Sequence, residues 1–207
     1  MSDHLEGVLE HLGGDGVVIH PTETVYGLAA PVTPGGVAAL RRLKGREPGR
    51  PFLLLVADDA AGRAWLEGLE WTDAARALAR RFWPGPVTLI LFDEQGRVPE
   101  GAVNPQGGVA VRVTPHPLAG ALLERWGRPL LSTSANRPGV PPVRSADEAR
   151  REFAAEIEEG TVVVVDGGAL EPSAPSTLVD CTGHRPRVIR EGAVTTEILT
   201  MELGGVQ

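Results

Sequence analysis

A short apolar run that leads directly into a polar loop is the feature that most constrains this chain. Residues 17–19 (VVI) read as a buried strand, and Pro21 ends it because proline has no N–H to donate to a sheet. Two threonines, a glutamate and a tyrosine follow within 22–26. Buried polar side chains each need a partner, so this set favours a strand-end loop that presents polar groups to a ligand. The alternative for any single residue is a capped turn, in which Thr22 or Thr24 bonds to nearby backbone.

Helix-like segments and apolar runs alternate through the earlier part of the chain, and strand-like runs dominate later. The hydrophobic periodicity predicts helices at 3–12, 34–44, 58–68, 72–82, 117–126 and 145–158. It predicts strands at 17–20, 51–56, 87–92, 109–113, 129–132, 161–165, 176–180 and 187–190. Thr33 and Pro34 mark the start of the second helix, as N-cap and first helical residue. Residues 93–108 are predicted to form a loop, and those after about 196 a frayed tail.

This alternation predicts an α/β fold with one large, twisted, open mixed sheet flanked by helices. The chain of 207 residues is 42% hydrophobic and 23% charged, which suffices for a sizeable core in a single domain, 1–207. We expect the core to cover about 10–195. Aromatic residues make up only 4% of the chain, so aliphatic side chains must build that core.

The charge distribution argues against a long polyanion as the ligand. The formal net charge is -7, yet five of the 20 basic residues lie within 41–50. Arg41, Arg42 and Lys44 have a structural explanation, because cations at the end of a helix interact favourably with its dipole. Arg46 and Arg50 lie beyond the predicted helix and have no such explanation. The cluster therefore favours a local anion site for a small phosphorylated ligand.

Residue usage excludes several functional classes. The single cysteine, Cys181, leaves no internal disulfide and no cysteine-rich metal site. The five histidines show no paired spacing, so we expect no metal site built by the protein. No apolar run approaches the roughly 20 residues needed to cross a bilayer, and none at the N-terminus has the length of a signal peptide. We expect a cytoplasmic protein with no membrane partner.

Small hydroxyl side chains and arginines sit at the ends of several predicted strands. Alternation in strand 109–113 places its three valines on one face and Arg112 on the other. Each such residue has an ordinary explanation, since Ser and Thr cap turns and Arg extends over apolar surface. Together they outline a polar, cation-lined crevice: Thr22, Thr24, Thr88, Arg112, Ser132, Ser134, Asn136, Ser176, Thr177 and Arg190. Neither a P-loop nor a dinucleotide-binding fingerprint is present.

Six short motifs follow one another in an order that resembles a known family. They are PTETVYGL at 21–28, KGR at 44–46, FWPGPVT at 82–88, VR at 111–112, SAN at 134–136 and STLVD at 176–180. Over about 10–195 they resemble the threonylcarbamoyl-adenylate synthases, or YrdC-type domain, in single-domain form. The resemblance implies a concave cavity and a nucleotidyltransferase that makes threonylcarbamoyl-AMP and pyrophosphate from L-threonine, bicarbonate and ATP. Its product feeds the N6-threonylcarbamoyladenosine modification of tRNA position 37.

The resemblance also implies roles for individual residues. Threonine is expected to be held by Thr24, Arg112 and Thr177. ATP is expected to be surrounded by Lys44, Arg46, Thr88, Ser132, Ser134, Asn136 and Arg190. Lys44 and Arg46 are the expected catalytic cations, reaching past the helix to the phosphates. Mg²⁺ is expected to enter with ATP, and tRNA or tRNA-modifying proteins are expected partners; no general base is assigned.

The sequence departs from the family pattern after the KGR motif. Many members continue there into Asn-Pro-Leu and end the next strand with His, where this chain has Arg50 and Leu55. Two alternatives therefore stay open. One is a related carbamoyl-adenylate chemistry with another donor. The other is a YrdC-like paralogue that acts as an RNA-binding or translation-associated module without this activity, although few aromatics are available for base stacking.

If threonine is the substrate, its side chain is expected to be read by hydroxyl groups. The candidates lie in the loops at 22–24 and 176–177, which the family fold brings together. A site built to bond a substrate hydroxyl rejects an analogue that lacks it, because the polar groups of the site are then left unpaired.

Overall fold

The computed structural model describes residues 2–45 and 50–203, which form eight helices and nine strands. The helices are α1 (Ser2–Gly13), α2 (Pro34–Lys44), α3 (Ala60–Leu66), α4 (Asp73–Phe82), α5 (Pro117–Trp126), α6 (Ala146–Glu152), α7 (Ala154–Glu158) and α8 (Thr196–Leu203). The strands are β1 (Val17–Pro21), β2 (Tyr26–Pro31), β3 (Leu53–Val56), β4 (Val87–Phe92), β5 (Gly108–Val113), β6 (Leu130–Ser134), β7 (Val162–Val164), β8 (Thr177–Asp180) and β9 (Arg187–Arg190).

All nine strands belong to one mixed sheet, in the order β7-β1-β2-β6-β3-β5-β4-β8-β9. The β1–β7, β3–β5 and β4–β8 pairs are parallel, and the other neighbours are antiparallel. The expected α/β fold with a single large, open mixed sheet is therefore confirmed.

One face of the sheet carries the main hydrophobic core. Val37 and Leu40 of α2, Leu78 of α4 and Leu199 of α8 join the main hydrophobic core on this face. The central strands contribute residues such as Leu54, and these side chains are withdrawn from solvent. Burial of apolar surface on this face supplies most of the driving force for folding.

The opposite face is covered only in part. Helices α1 and α5 pack through Leu12 and Leu122 on Val18, Ala29 and Leu55, which belong to β1, β2 and β3. The smaller core ends at β3, and among the described residues it has no member on β5, β4, β8 or β9, which continue the sheet. Polar side chains occupy this uncovered half, which forms the floor of a cavity.

Most predicted elements are confirmed to within a few residues. Thr33 caps α2, its hydroxyl accepting from the Gly36 N–H at 2.9 Å, and Gly45 ends the helix in the left-handed conformation. The helix predicted at 145–158 is interrupted at Phe153, which divides it into α6 and α7.

Two expectations about the elements are wrong. The first is that no strand was expected at β2, whose residues are small or follow a polar loop. This strand forms because β1 and β6 supply hydrogen-bond partners on both sides. The second is the expected frayed tail after about 196, where the chain instead forms α8. Leu199 is fully buried there, so tertiary packing on α4 orders this segment.

Within the described residues, no helix is both long enough and apolar enough to cross a membrane.

Candidate active site

The uncovered half of the sheet lines a cavity of about 690 Å³. Its polar side chains come from Thr22, Thr24, Arg50, Thr88, Arg112, Ser132, Thr133, Ser134, Arg144, Ser173, Ser176 and Arg190. Among the described residues, the lining combines hydroxyls with four arginines and contains no carboxylate. Such a lining suits an anionic ligand with several oxygen atoms, because arginines neutralise its charge and hydroxyls orient it.

The pairing register explains why residues distant in sequence meet on one face. Arg112 stands opposite Leu55, which lies on the partly covered face. Thr88 stands opposite Leu178, and Leu178 opposite Arg190. Residues opposite one another in neighbouring strands point to the same side of a sheet. Arg112 and Arg190 therefore both project into the cavity. For Arg112 this agrees with the predicted alternation in strand 109–113, which turned it away from the valines.

Arg112 is a buried cation held by a neighbouring carboxylate. Its Nη1 lies 3.3 Å from Oε1 of Glu23, and the residue is only 4% exposed. The Thr114 hydroxyl donates to Glu23 Oε2 at 2.7 Å and so orients the carboxylate. Burial lowers the pKa of Arg112, and the Glu23 charge opposes that effect. Glu23 thus holds the charged Arg112 side chain in the cavity floor, which is a positioning role.

The two threonines of the first loop have different roles. Thr22 Oγ1 donates to the Val25 carbonyl at 2.7 Å and lies 3.1 Å from Thr24 Oγ1. Because the Thr22 hydrogen is already used, the Thr24 hydroxyl must donate to Thr22. The capped-turn interpretation therefore holds for Thr22, while Thr24 keeps its lone pairs available at the cavity surface.

Lys44 does not reach into the open cavity. Its Nζ donates to the carbonyls of Ser134 and Asn136, both at 2.9 Å, and to Asn136 Oδ1 at 2.6 Å. Ser134 Oγ donates to the same Oδ1 at 2.6 Å. The Lys44 ammonium thus organises the turn that carries Ser134, and its predicted role at the ATP phosphates stays a prediction. Arg46, the other predicted catalytic cation, lies outside the described residues.

At the other end of the cavity, Thr88, Ser176 and Arg190 form a connected group. Thr88 Oγ1 and Ser176 Oγ are 2.9 Å apart, and Arg190 Nη2 donates to the Ser176 carbonyl at 2.9 Å. These bonds fix the guanidinium beside two hydroxyls. The group offers a positive charge and hydroxyls within one small region.

The structure places Thr177, one of the residues predicted to bind threonine, away from the cavity. It does not line the cavity, since alternation along β8 turns it to the opposite face from Leu178. Its hydroxyl donates to the Val194 carbonyl and accepts from the N–H groups of Gly192 and Val194, at 3.0 and 3.1 Å. All its bonding capacity is used within the protein, so the contact expected of Thr177 is not available from this side chain.

The cavity thus brings together most of the predicted residues. Those that line it are Thr24, Thr88, Arg112, Ser132, Ser134 and Arg190, whereas Lys44 and Asn136 lie behind Ser134. Sequence reasoning missed Arg144 and Ser173, which line the cavity from irregular segments. No hydrophobic periodicity indicated that Arg144 and Ser173 face the cavity. Each is a polar residue near prolines, which by itself does not predict a binding role.

The described part of the chain contains no cluster of metal ligands and no reactive thiol. No group of three or more His, Cys, Asp or Glu side chains could hold a metal ion there. Cys181 is buried in the core, and burial raises the pKa of its thiol to about 12. A thiol with so high a pKa is not a nucleophile at neutral pH.

Comparison with known proteins relates this cavity to a family. The model of the Sua5/YciO/YrdC family, described as "Telomere recombination", matches residues 10–192. A threonylcarbamoyl-AMP synthase of Shigella boydii serotype 4 is 36% identical over 172 residues, which cover 83% of this chain and 89% of that protein.

Two solved structures share the fold. P. abyssi Sua5 complexed with L-threonine superposes with a TM-score of 0.87 and 32% sequence identity, over 98% of this chain. The match spans 58% of the Sua5 chain, so Sua5 is considerably longer. E. coli YciO superposes with a TM-score of 0.80 and 26% identity, over 96% of this chain and 94% of its own.

Proposed function

Because the chain belongs to the Sua5/YciO/YrdC family, we propose that it is an L-threonylcarbamoyladenylate synthase. It would convert L-threonine, bicarbonate and ATP into threonylcarbamoyl-AMP and pyrophosphate. The observation that carries this proposal is the buried Arg112 in a cavity whose other arginines and hydroxyls suit an anionic nucleotide. The curated relative from Shigella, named for this activity, supports it.

In this proposal Arg112 binds the carboxylate of threonine. A buried guanidinium forms strong, charge-assisted hydrogen bonds with a carboxylate, and it fixes the amino acid in orientation. Thr24, with its free lone pairs at the cavity surface, is close in sequence to Glu23, the partner of Arg112. It is therefore suited to accept from the ammonium or hydroxyl of the same substrate.

ATP would occupy the region between the Lys44 turn and the Arg190 group. Ser134, oriented through Asn136, and Ser132 supply hydroxyls on β6. Thr88, Ser176 and Arg190 supply hydroxyls and a positive charge on β4, β8 and β9. Arg46, which follows α2 in sequence, is the second cation that we assign to the phosphates.

The reaction needs positioning more than covalent help. Bicarbonate takes up one proton and gives CO2 and water. The neutral threonine amine attacks the CO2 carbon, forms an N–C bond and releases one proton, so the two steps together leave the proton count unchanged. A carbamate oxygen then attacks the α-phosphorus of ATP, and the bond from that phosphorus to the β-phosphate oxygen breaks to release pyrophosphate. Proximity of the two substrates and positive charge near the developing oxyanions lower this barrier.

Mg²⁺ would arrive as part of the MgATP substrate. In the part of the lining that the structure describes, the polar side chains are hydroxyls and arginines, so the phosphates themselves would provide the main anionic ligands of the ion. When bound, it would neutralise charge on the departing pyrophosphate. The eventual acceptor of the threonylcarbamoyl group would be tRNA, reached through partner proteins.

The test is pyrophosphate release from ATP, measured with and without L-threonine and bicarbonate, with the adenylate identified by mass spectrometry. Pyrophosphate and threonylcarbamoyl-AMP should appear only when all three substrates are present. ATP binding without pyrophosphate release, accompanied by RNA binding that weakens steeply with salt, would instead favour the non-catalytic RNA-binding module.

A further inference from the structure

A stretch of chain without helix or strand crosses the sheet on the side of the cavity. We call residues 166–175 the strap. The strap joins β7, the first strand in the sheet order, to β8, the eighth, so it has to cross the six strands between them. Ser173 and Pro175 line the cavity, which places the strap on the same side of the sheet as the cavity. Its position therefore governs how much of the cavity meets solvent.

The two ends of the strap are attached to the rest of the fold. At its start, the Tyr26 hydroxyl donates to the Gly168 carbonyl at 2.7 Å and accepts from the Gly167 N–H at 3.0 Å. Tyr26 is fully buried in β2, so it holds this end against the sheet. At the other end, the Ala193 N–H donates to the Pro175 carbonyl at 2.8 Å. These attachments mark two hinges, and the middle of the strap lies between them.

The middle of the strap is held more weakly. Residues 171–175 are exposed, and none of them belongs to either hydrophobic cluster of the described residues. Two hydrogen bonds join this part to residues of the cavity. Arg144 Nη1 donates to the Glu171 carbonyl at 2.8 Å, and the Ser173 hydroxyl donates to the Thr24 carbonyl at 2.7 Å. A segment without apolar burial opens locally at low free energy.

Arg144 belongs both to the strap contact and to the cavity. Its side chain lines the cavity and is half-buried. Among the described residues, no carboxylate lies within ion-pair distance of its guanidinium. A guanidinium carries five N–H donors, and the Glu171 carbonyl uses one of them. An anion in the cavity would therefore engage the same guanidinium that holds the strap.

We propose that the strap is a lid that a bound nucleotide closes through Arg144, and that the closed lid keeps water from the reaction product. Phosphate oxygens form strong, charge-assisted hydrogen bonds with a guanidinium and immobilise it. An immobilised side chain loses less conformational entropy when it bonds to the Glu171 carbonyl. Nucleotide binding and closure of the strap thus stabilise one another, because such coupling is reciprocal.

The protection of the product rests on the proposed function. Threonylcarbamoyl-AMP is a mixed anhydride of a carbamic and a phosphoric acid. Water that attacks its carbonyl carbon breaks the bond from that carbon to the phosphate oxygen, and gives AMP, one proton and the carbamate of threonine. The carbamate then takes up a proton and decomposes to threonine and CO2. A closed strap slows this loss because it excludes water from the cavity.

Hydrogen exchange of the strap, followed by mass spectrometry with and without α,β-methylene ATP, tests the closure. This analogue cannot release pyrophosphate, so its effect does not depend on the proposed reaction. At saturation it should slow exchange at residues 169–174 of the parent at least roughly fivefold. Arg144→Gln should lose this slowing, even at concentrations of analogue that saturate the variant. Arg151→Gln is the matched control, an exposed arginine of α6 that does not line the cavity, and should respond as the parent does.

The ratio of AMP to threonylcarbamoyl-AMP early in the reaction tests the exclusion of water. Ser173→Ala removes the bond from the strap to Thr24 without changing a charge. Both Ser173→Ala and Arg144→Gln should raise this ratio at least roughly threefold, because water enters a looser cavity. Arg151→Gln should keep the ratio of the parent. A ratio is measured rather than a rate, since Arg144 and Ser173 line the cavity and their loss also changes turnover.

The outcomes separate this inference from the proposed function. Equal exchange of the parent strap with and without saturating analogue would overturn the lid. Slowing that persists in Arg144→Gln would overturn the role of Arg144, and an unchanged ratio in both Ser173→Ala and Arg144→Gln would overturn the exclusion of water. A parent whose strap is slowed by the analogue, but which forms no threonylcarbamoyl-AMP, would refute the proposed function and leave the nucleotide-closed lid in place.

Discussion

Glu23 and Arg112 form an ion pair across the cavity floor, with 3.3 Å between Glu23 Oε1 and Arg112 Nη1, although three strands separate β1 from β5 in the sheet. The twist of the sheet brings the loop after β1 over the end of β5, where Thr114 also bonds to Glu23. The charge of Arg112 is thereby balanced before any substrate carboxylate arrives. A bound carboxylate would share the guanidinium with Glu23.

Replacing Glu23 with Gln should destabilise the protein by about 3 kcal/mol, because Arg112 would be left as a buried cation without its counter-charge. Threonine should then stabilise the variant more than it stabilises the parent, since its carboxylate restores the missing charge. Thermal unfolding with and without L-threonine measures both effects.

The matched control is Glu67→Gln, which breaks the exposed Arg76–Glu67 pair, with side chains 43% and 61% exposed. That change should cost under about 1 kcal/mol and leave the threonine effect unaltered. Equal losses for Glu23→Gln and Glu67→Gln would contradict the view that Arg112 is an electrostatically constrained cation.

Lys44 and Arg46 should separate in their effects when each is replaced with Ala. Lys44→Ala should lower stability by about 2–3 kcal/mol as well as ATP affinity, because three oxygen atoms of the 134–136 turn lose their donor. Arg46→Ala should lower ATP affinity with no comparable loss of stability. Urea unfolding and ATP titration of both variants, with the exposed Arg42→Ala as control, test this. ATP binding at the parent's affinity in Arg46→Ala would refute its assignment to the phosphates.

Thr177 and Ser176 are neighbours whose replacement should give opposite results. Thr177→Val should cost about 2 kcal/mol of stability, because the 192–194 segment loses its bonds to the buried hydroxyl, while substrate affinities remain unchanged. Ser176→Ala should leave stability nearly intact and raise the KM for a substrate, since Ser176 lines the cavity and bonds to Thr88. Steady-state kinetics combined with chemical unfolding distinguishes the two. A threonine-specific KM increase in Thr177→Val would restore the binding role expected from the sequence.

His20 should make stability depend on pH in the acid range. An unfolded histidine takes up a proton near pH 6.5, whereas folded His20 resists protonation until its pKa of about 4. Protons therefore favour the unfolded chain as the pH falls between these values, and His20 should account for a loss of up to about 3 kcal/mol. Above pH 6.5 this contribution is fully present.

Urea unfolding at pH 7 and pH 4.5 of the parent and of His20→Phe measures this difference. His116→Phe should show a smaller effect of the same sign, because burial also lowers the pKa of His116. Parallel pH profiles for the parent and His20→Phe would show that folding does not lower the pKa of His20.

The sequence predicted most of the sheet but missed strand β2 and helix α8. Strand β5 carried a clear signal, since its valines alternate with Arg112, and the structure confirms both faces. Strand β2 carried none, because Gly27, Ala29 and Ala30 have low strand propensity and depend on their neighbours for pairing. Helix α8 was missed because its order comes from packing on α4.

The candidate site was predictable as a set but not residue by residue. Hydroxyls at strand ends did gather around one cavity, as strand-end loops in such sheets do. Whether a hydroxyl faces the cavity depends on strand phase, which residue type does not reveal: Ser176 faces it and Thr177 does not.

The position of β9 at the end of the sheet has a consequence for how this protein moves. Arg112 lies in β5, which is flanked by β3 and β4. Arg190 lies in β9, the last strand in the sheet order, next to β8. Edge strands open locally at lower free energy than interior strands. Amide hydrogens of β9 should therefore exchange much faster than those of β5, and a nucleotide that contacts Arg190 should slow exchange in β9 while leaving β5 unchanged. The nucleotide side of the cavity would then be ordered by its ligand, and the amino-acid side would be rigid beforehand.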